Sequence, residues 1–189
     1  MISNNALTIV VCGAAASVNL PNYLQYLCIR ETRPLRVFLT TSAERFVKRE
    51  VIPFYADELI TSDMSVNPTE VAMRSRTIVV LPCTLNFLAA SALGLASTPA
   101  LTTVACFPGR VMFFPSMHSQ MWKVAKQLGH VERLRDRGHV VVDPHPGPLY
   151  EFWRKGVGEG LSLPAPEEAG ERIVAWDNNV PKDGYPVQK

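Results

Sequence analysis

The chain has 189 residues, 47% of them hydrophobic and 19% charged, with a formal net charge of +2 at neutral pH. That length accommodates one domain with a single sizeable core, and the composition excludes disordered and fibrous proteins. A near-neutral balance without a dense Lys/Arg run argues against a nucleic-acid binder that works by neutralising phosphates.

In chain order, Met1 to Ala6 is polar and lacks the basic and then apolar pattern of a secretory signal. The run from Leu7 to Cys12 is continuous, apolar and β-rich, and it ends at Gly13 ahead of small residues and an amphipathic segment from Val18 to Ile29. This reads as strand, tight turn and helix. Leu35 to Thr40 forms a second strand, followed by a helical stretch opened by Thr41 or Ser42, with Glu44 in its first turn. A third strand, Thr77 to Leu81, stops at Pro82 and precedes an Ala-rich helix from Phe87 to Gly94. Ala100 to Cys106, Val111 to Phe114 and His139 to Val142 read as further strands, with a helix from Gln120 to Arg137 before the last. No apolar stretch spans a bilayer: Ala89 to Val104 is broken by Ser91, Gly94, Ser97 and Pro99. A soluble cytoplasmic protein with no membrane partner is expected.

Strands without polar alternation, separated by helices, require a parallel sheet covered on both faces. The expected fold is therefore α/β, a Rossmann-like doubly wound parallel sheet, with ligands bound beyond the carboxyl ends of the strands. From Asp143 onward Pro, Gly and charge dominate, so residues 1–142 are read as the domain and 143–189 as a flap and tail. Cys12, Cys28, Cys83 and Cys106 lack CxxC spacing and are expected as buried thiols, neither disulfides nor metal ligands. His130 and His139, flanking a helix–strand connection, are expected at the surface.

Three loops carry chemistry. Gly13, Ala14 and Ser17 lie at a strand-to-helix junction, where backbone N–H groups and a hydroxyl hold a phosphate; without GxGxxG or a Walker lysine, simple helix–sheet packing is equally open. Pro82 to Phe87 mixes Thr84 and Asn86 into apolar surroundings, a ligand loop or an N-cap. Pro115 to Trp122 carries Met117, His118, Met121 and Trp122 directly after a strand, a pattern that also suits core packing.

Together these loops resemble one family, the homo-oligomeric flavin-containing cysteine decarboxylases, in order from about Leu7 to Pro164. Pro82, Thr84 and Asn86 match its Pro-Ala-Ser-Ala-Asn-Thr motif. Pro115, Met117, Met121 and Trp122 match its Pro-x-Met-Asn-x-x-Met-Trp motif, and Gly156 to Leu161 with Leu163-Pro164 is similar to its substrate flap. Within the family the chain looks like the peptidyl-cysteine decarboxylases of the epidermin, cypemycin and thioviridamide types. The resemblance implies oxidative decarboxylation of a C-terminal cysteine of a ribosomally made precursor peptide, giving an enethiol for aminovinyl-cysteine formation. It implies FMN as cofactor, with FAD also compatible, held by Gly13, Ala14, Ser17, Thr40, Ser42, Pro82, Cys83, Thr84, Asn86 and Met117. It also implies a homo-trimer or homo-dodecamer.

Two departures stand out. The family's base histidine aligns with Pro68, beside Asn67, and its motif Asn has become His118. An exchange of roles follows as one reading: His118 as base or as cation toward the carboxylate, and Asn67 as hydrogen-bond partner. A degenerate site on a peptide- or partner-binding flavoprotein scaffold is the other. Trp153 and Arg154 form an aromatic and basic cluster that either clamps the peptide terminus or anchors the tail. The coenzyme A branch, phosphopantothenoylcysteine decarboxylase, carries a flap cysteine; its place falls near Arg154, and no Cys follows Cys106, which disfavours that branch.

Overall fold

The computed structural model describes residues 3–30, 32, 34–151 and 155–180. Its central sheet has six strands: β1 (Ala6–Val11), β2 (Leu35–Leu39), β3 (Glu58–Thr61), β4 (Ser75–Cys83), β5 (Val111–Pro115) and β6 (Val140–Val141). They lie in the order β3-β2-β1-β4-β5-β6, and every pair is parallel. The chain thus winds outward from β1 in one direction, then returns and winds outward in the other, as the apolar runs led one to expect of a doubly wound sheet.

Alternate residues of each strand feed opposite layers of core. Val10, Phe38, Val80 and Phe113 face α2 (Pro68–Met73), α3 (Leu85–Leu93), α4 (Pro99–Cys106), α5 (Ser119–Gln127) and α6 (His130–Asp136). Ile9, Val37, Val79 and Phe114 face α1 (Leu20–Ile29) and α7 (Pro166–Asn178). Among the buried polar residues of the strands, Arg36 is fully buried and carries a charge. Its guanidinium meets Glu58 at 2.6 Å and Ser75 Oγ at 3.2 Å, and it also donates to the Ser3 carbonyl. Glu58 in turn accepts from the Ser3 backbone N–H, so the pair ties the N-terminal segment across three strands.

Several local expectations give way. Ala100 to Cys106 is a helix: Pro99 presets the first turn and Thr98 Oγ1 accepts from Leu101 N at 3.3 Å, a start signal that outweighs the apolar run. The β4 strand does not stop at Pro82 but runs to Cys83. Its register with β5 shifts between Val80 and Cys83, where proline offers no N–H to the ladder. The helix expected from Gln120 to Arg137 is two helices, parted at Gly129, whose φ is +68°. After Thr40 come only short 3-10 turns, Ala43–Arg45 and Arg49–Phe54, the second containing Pro53. His130 is 8% exposed and not a surface residue. His139 Nδ1 accepts from Val111 N at 3.1 Å, and burial, with Arg137 nearby, lowers its pKa.

The C-terminal stretch carries more structure than its composition suggests. Strands β7 (His145–Glu151) and β8 (Gly156–Ser162) form an antiparallel hairpin. Helix α7 buries Ala169, Ile173 and Val174 against the α1 face and is core, not tail. The two helices approach so closely that a Cβ on Gly170 would fall 2.2 Å from Tyr26 Cδ1. Polar clasps hold both ends of α7. Tyr23 donates to the Pro164 carbonyl at 2.8 Å, and Arg76 grips Asp177 through two nitrogens at 2.8 and 2.6 Å.

Candidate active site

In this strand order the winding reverses between β1 and β4, and the crevice beyond their carboxyl ends is where such sheets bind ligands. Its first wall is the turn after β1. Cys12 N donates to the Pro82 carbonyl at 3.2 Å, tying that turn to β4. Ala14 N and the Ser17 hydroxyl both donate to the Cys12 carbonyl, at 2.9 and 2.8 Å. Ser17 is therefore fully buried and its hydroxyl faces inward, so a ligand at this turn meets backbone and not that oxygen. Gly13 is required by contact: a Cβ there would sit 2.5 Å from Ser42 Cβ and 2.7 Å from the Ser42 carbonyl. Thr40 locks the neighbouring turn, donating through N and Oγ1 to the Val11 carbonyl at 3.1 and 2.9 Å. The structure thus gathers Gly13, Ala14, Ser17, Thr40 and Ser42 at one place, with Ser42 exposed.

The second wall is the end of β4 and the start of α3. Thr84 Oγ1 caps α3 by accepting from Phe87 N at 3.4 Å, and Asn86 is exposed on the first turn. Ser116 N donates to the Cys83 carbonyl at 2.8 Å, joining this wall to the loop after β5. Met117, partly buried in that loop, packs against the core. Burial pushes the Cys83 thiol well above its ordinary pKa, and the Cys12 thiol hydrogen-bonded to it adds to the rise. The Cys83 sulfur is thus neutral filler at the crevice floor, packed against Cys12. Each cysteine is visible in the sequence, but only the adjacency of β1 and β4 brings them together.

His118 and Asn67 begin helices. His118 Nδ1 accepts from Gln120 N at 3.1 Å at the start of α5, and Asn67 Oδ1 accepts from Thr69 N at 2.9 Å at the start of α2. Both side chains are exposed, and no hydrogen bond joins them among the described residues. They follow strands β5 and β3, which lie four positions apart in the sheet. Trp153 and Arg154 lie outside the described residues. The hairpin that flanks them reaches the site side of the molecule: β8 touches α5, and Leu161 packs on the core beneath it. A shallow groove of about 360 Å³, lined by Glu58, Ile60, Met64 and Val66 among others, follows the edge strand β3 and not the crevice.

Hydroxyl and amide groups at Ser42, Thr84 and Asn86, the amino ends of the 3-10 turn Ala15–Asn19 and of α3, and the apolar side chains of Ala14, Cys83 and Met117 fit a ligand with a phosphate and a planar apolar ring. Among the described residues no cluster of three or more His, Cys, Asp or Glu is placed to hold a metal, and no helix is long and apolar enough to cross a membrane.

Doubly wound sheet and switch-point crevice together define an α/β nucleotide- or cofactor-binding protein. The family profile described as Flavoprotein matches residues 1–160, and the chain belongs to that family. It is 27% identical over 148 residues to mersacidin decarboxylase of Bacillus sp. (strain HIL-Y85/54728), covering 76% of each chain. The structure of MrsD from Bacillus sp. HIL-Y85/54728 superposes with a TM-score of 0.76 at 26% identity, over 93% of this chain and 97% of that one. The FMN-dependent cysteine decarboxylase TvaF from thioviridamide biosynthesis superposes with a TM-score of 0.68 at 25% identity, over 74% of this chain and 90% of that one.

Proposed function

We propose that this chain is a flavin-dependent decarboxylase acting on the C-terminal cysteine of a ribosomally made precursor peptide, with an enethiol as product. The observation that carries the reading is the coincidence of the switch-point crevice with the motif residues at Gly13, Pro82 and Pro115, in a chain that aligns over most of its length with mersacidin decarboxylase. FMN is the proposed cofactor; the turns around Gly13 and Ser42 and the residues Pro82, Cys83, Thr84, Asn86 and Met117 would hold it.

Bound flavin supplies a two-electron oxidation of the cysteine CH₂–SH unit. With the flavin as hydride acceptor for the Cβ hydrogen and a base or solvent taking the thiol proton, that oxidation would convert the substrate to a thioaldehyde. Its C=S then accepts the electron pair released when the Cα–carboxylate bond breaks, as in a β-keto acid, and CO₂ departs. The protein orients the side chain, excludes water and holds the departing carboxylate. His118 and Asn67 are the candidates for direct contact with the substrate, and Trp153 and Arg154 are the candidates for holding the peptide terminus. Assembly as a homo-trimer or homo-dodecamer is part of the same proposal.

A second reading, a flavoprotein scaffold without turnover, draws support from one observation: Asn67 and His118 each hold a helix end. The test is to purify the protein, record its absorption spectrum, and incubate it with synthetic peptides ending in Cys. Flavin absorption together with a mass loss equal to CO₂ plus two hydrogens supports the decarboxylase. Yellow protein without turnover on any such peptide supports the scaffold, and protein that takes up no flavin overturns both.

A further inference from the structure

The sheet brings Cys12 and Cys83 side by side at the floor of the crevice. In the register of β1 on β4, Val10 stands opposite Val80. Between Val80 and Cys83 the β4 strand carries one residue more than β5, since Val80 faces Phe113 and Cys83 faces Pro115. Beyond that shift Cys12 N donates to the Pro82 carbonyl at 3.2 Å. In a parallel ladder an N–H that reaches the carbonyl of one residue has the next residue as register partner, here Cys83. Neighbouring strands lie about 4.8 Å apart, inside the Cα separation of roughly 4.4–6.8 Å that a disulfide spans. Both side chains join the same core layer, and the two thiols share a hydrogen bond. The residues are 2% and 0% exposed, but Gly13 and Thr84, next to them in the chain, are partly exposed, so one peptide unit separates the pair from the crevice surface. Cys28 and Cys106 pack on opposite faces of the sheet: Cys28 Sγ donates to the Tyr55 carbonyl at 2.9 Å, and Cys106 Sγ accepts from Thr69 Oγ1 at 3.7 Å.

We propose that Cys12 and Cys83 form a dithiol that closes to a disulfide under hydrogen peroxide and, in closing, loosens the flavin site; the second half rests on the function proposed above. Peroxide, little larger than water, oxidises the Cys12 sulfur to a sulfenic acid: one oxygen stays on sulfur and the other leaves as water. The Cys83 sulfur then attacks the Cys12 sulfur, and its proton departs with the sulfenic oxygen as a second water. Two thiols and one peroxide thus give one disulfide and two waters, with two electrons passing from sulfur to oxygen. Oxidation starts at Cys12, the less deeply buried of the two, because burial keeps the Cys83 thiol protonated and a poor first nucleophile. Closing the bond draws the sulfurs from hydrogen-bond contact to about 2.0 Å. Neither strand end yields alone: Gly13, next to Cys12, has no room against Ser42, and the Cys83 carbonyl is held by Ser116 N at 2.8 Å. The turns after β1, β2 and β5 therefore shift with the bond, and they are the walls of the crevice.

The test uses the whole chain with Cys28 and Cys106 replaced by Ser, so that the pair holds its only thiols. Hydrogen peroxide should lower the intact mass by two hydrogens and abolish both maleimide-reactive thiols in denaturant, and dithiothreitol should restore both. FMN affinity, read by fluorescence titration, should fall at least about tenfold on oxidation and return on reduction. C83A, which places the family motif's alanine at this position, and C12A as a second variant should each lose no hydrogens and show equal FMN affinity before and after peroxide. Addition of oxygen without loss of two hydrogens, or a mass loss that persists in C83A or C12A, overturns the dithiol. A reversible disulfide with unchanged FMN affinity overturns its coupling to the site. If the dithiol form takes up no FMN, the functional reading fails and the coupling with it, while the mass and the thiol count still decide the disulfide.

Discussion

Removing the Asp177 carboxylate tests whether the C-terminal helix belongs to the folding unit that carries the crevice. Asp177 is 8% exposed, accepts from Arg76 Nε and a terminal nitrogen at 2.8 and 2.6 Å, and also accepts from the Thr77 hydroxyl. In Asp177→Ala the Arg76 guanidinium, 13% exposed, keeps among the described residues its bond to the Asn5 carbonyl at 2.6 Å, and Thr77 loses the Asp177 acceptor. Breaking a buried pair from one side costs about 3–5 kcal/mol; the surviving acceptor and residual solvent contact reduce this to about 2–4 kcal/mol. For a chain of this size that corresponds to a Tm drop of roughly 5–15 °C, because each kcal/mol moves Tm by about 2–4 °C. The assay is thermal and urea unfolding of the whole chain beside Glu168→Ala, which removes an exposed i,i+4 partner of Arg172 at 3.0 Å and should cost no more than about 1 kcal/mol. A loss for Asp177→Ala no larger than for the control, or a biphasic transition in which the helix melts first, refutes the view that α7 is integral to the core.

Two further perturbations address the crevice and the acid limit. Gly13→Ala places a methyl 2.5 Å from Ser42 Cβ and 2.7 Å from its carbonyl, so the turns after β1 and β2 must part. It should cost about 1–3 kcal/mol in urea unfolding and weaken flavin binding at least about tenfold in a fluorescence titration, whereas Gly147→Ala, with open space around its Cβ, should change neither. Equal behaviour of the two variants contradicts the contact. For Glu58, burial alone would raise the carboxyl pKa, but hydrogen bonds from Ser3 and Arg36 outweigh it and hold the pKa below the ordinary carboxylate value of 4.5. A depressed folded-state pKa contributes stability above the unfolded value that is lost as pH falls through the folded one. The urea midpoint should therefore drop on acidification below about pH 4.5, and Glu58→Gln should be less stable at neutral pH with a shallower acid limb; an unchanged acid limb counts against the network.

Much of the fold is legible in the residues because it depends on short-range pattern. The uninterrupted apolar runs at Leu7–Val11, Leu35–Leu39 and Val111–Phe114 have no polar face to turn to water, so they specify strands buried on both sides and hence a sheet covered by helices. The pattern fails where another signal competes: at Ala100 to Cys106 a capping threonine and a helix-starting proline defeat an apolar run, and at Glu58–Thr61 four residues are too few for any periodicity. The α7 stripe of Ala169, Ile173 and Val174 was hidden among Pro and Glu residues that read as a tail.

Of the site, the sequence by itself determines which residue types stand at the ends of the strands: small residues at Gly13, a hydroxyl and an amide at Thr84 and Asn86, a histidine at Met117-His118. What those residues do is decided by contacts between segments distant in the chain, which no local pattern encodes. Strand order puts Cys12 against Cys83 and Gly13 against Ser42; burial turns the Ser17 hydroxyl inward. The cap of α5 commits His118 Nδ1 to the Gln120 N–H, so the fold, not the residue's identity, decides which ring nitrogen is engaged.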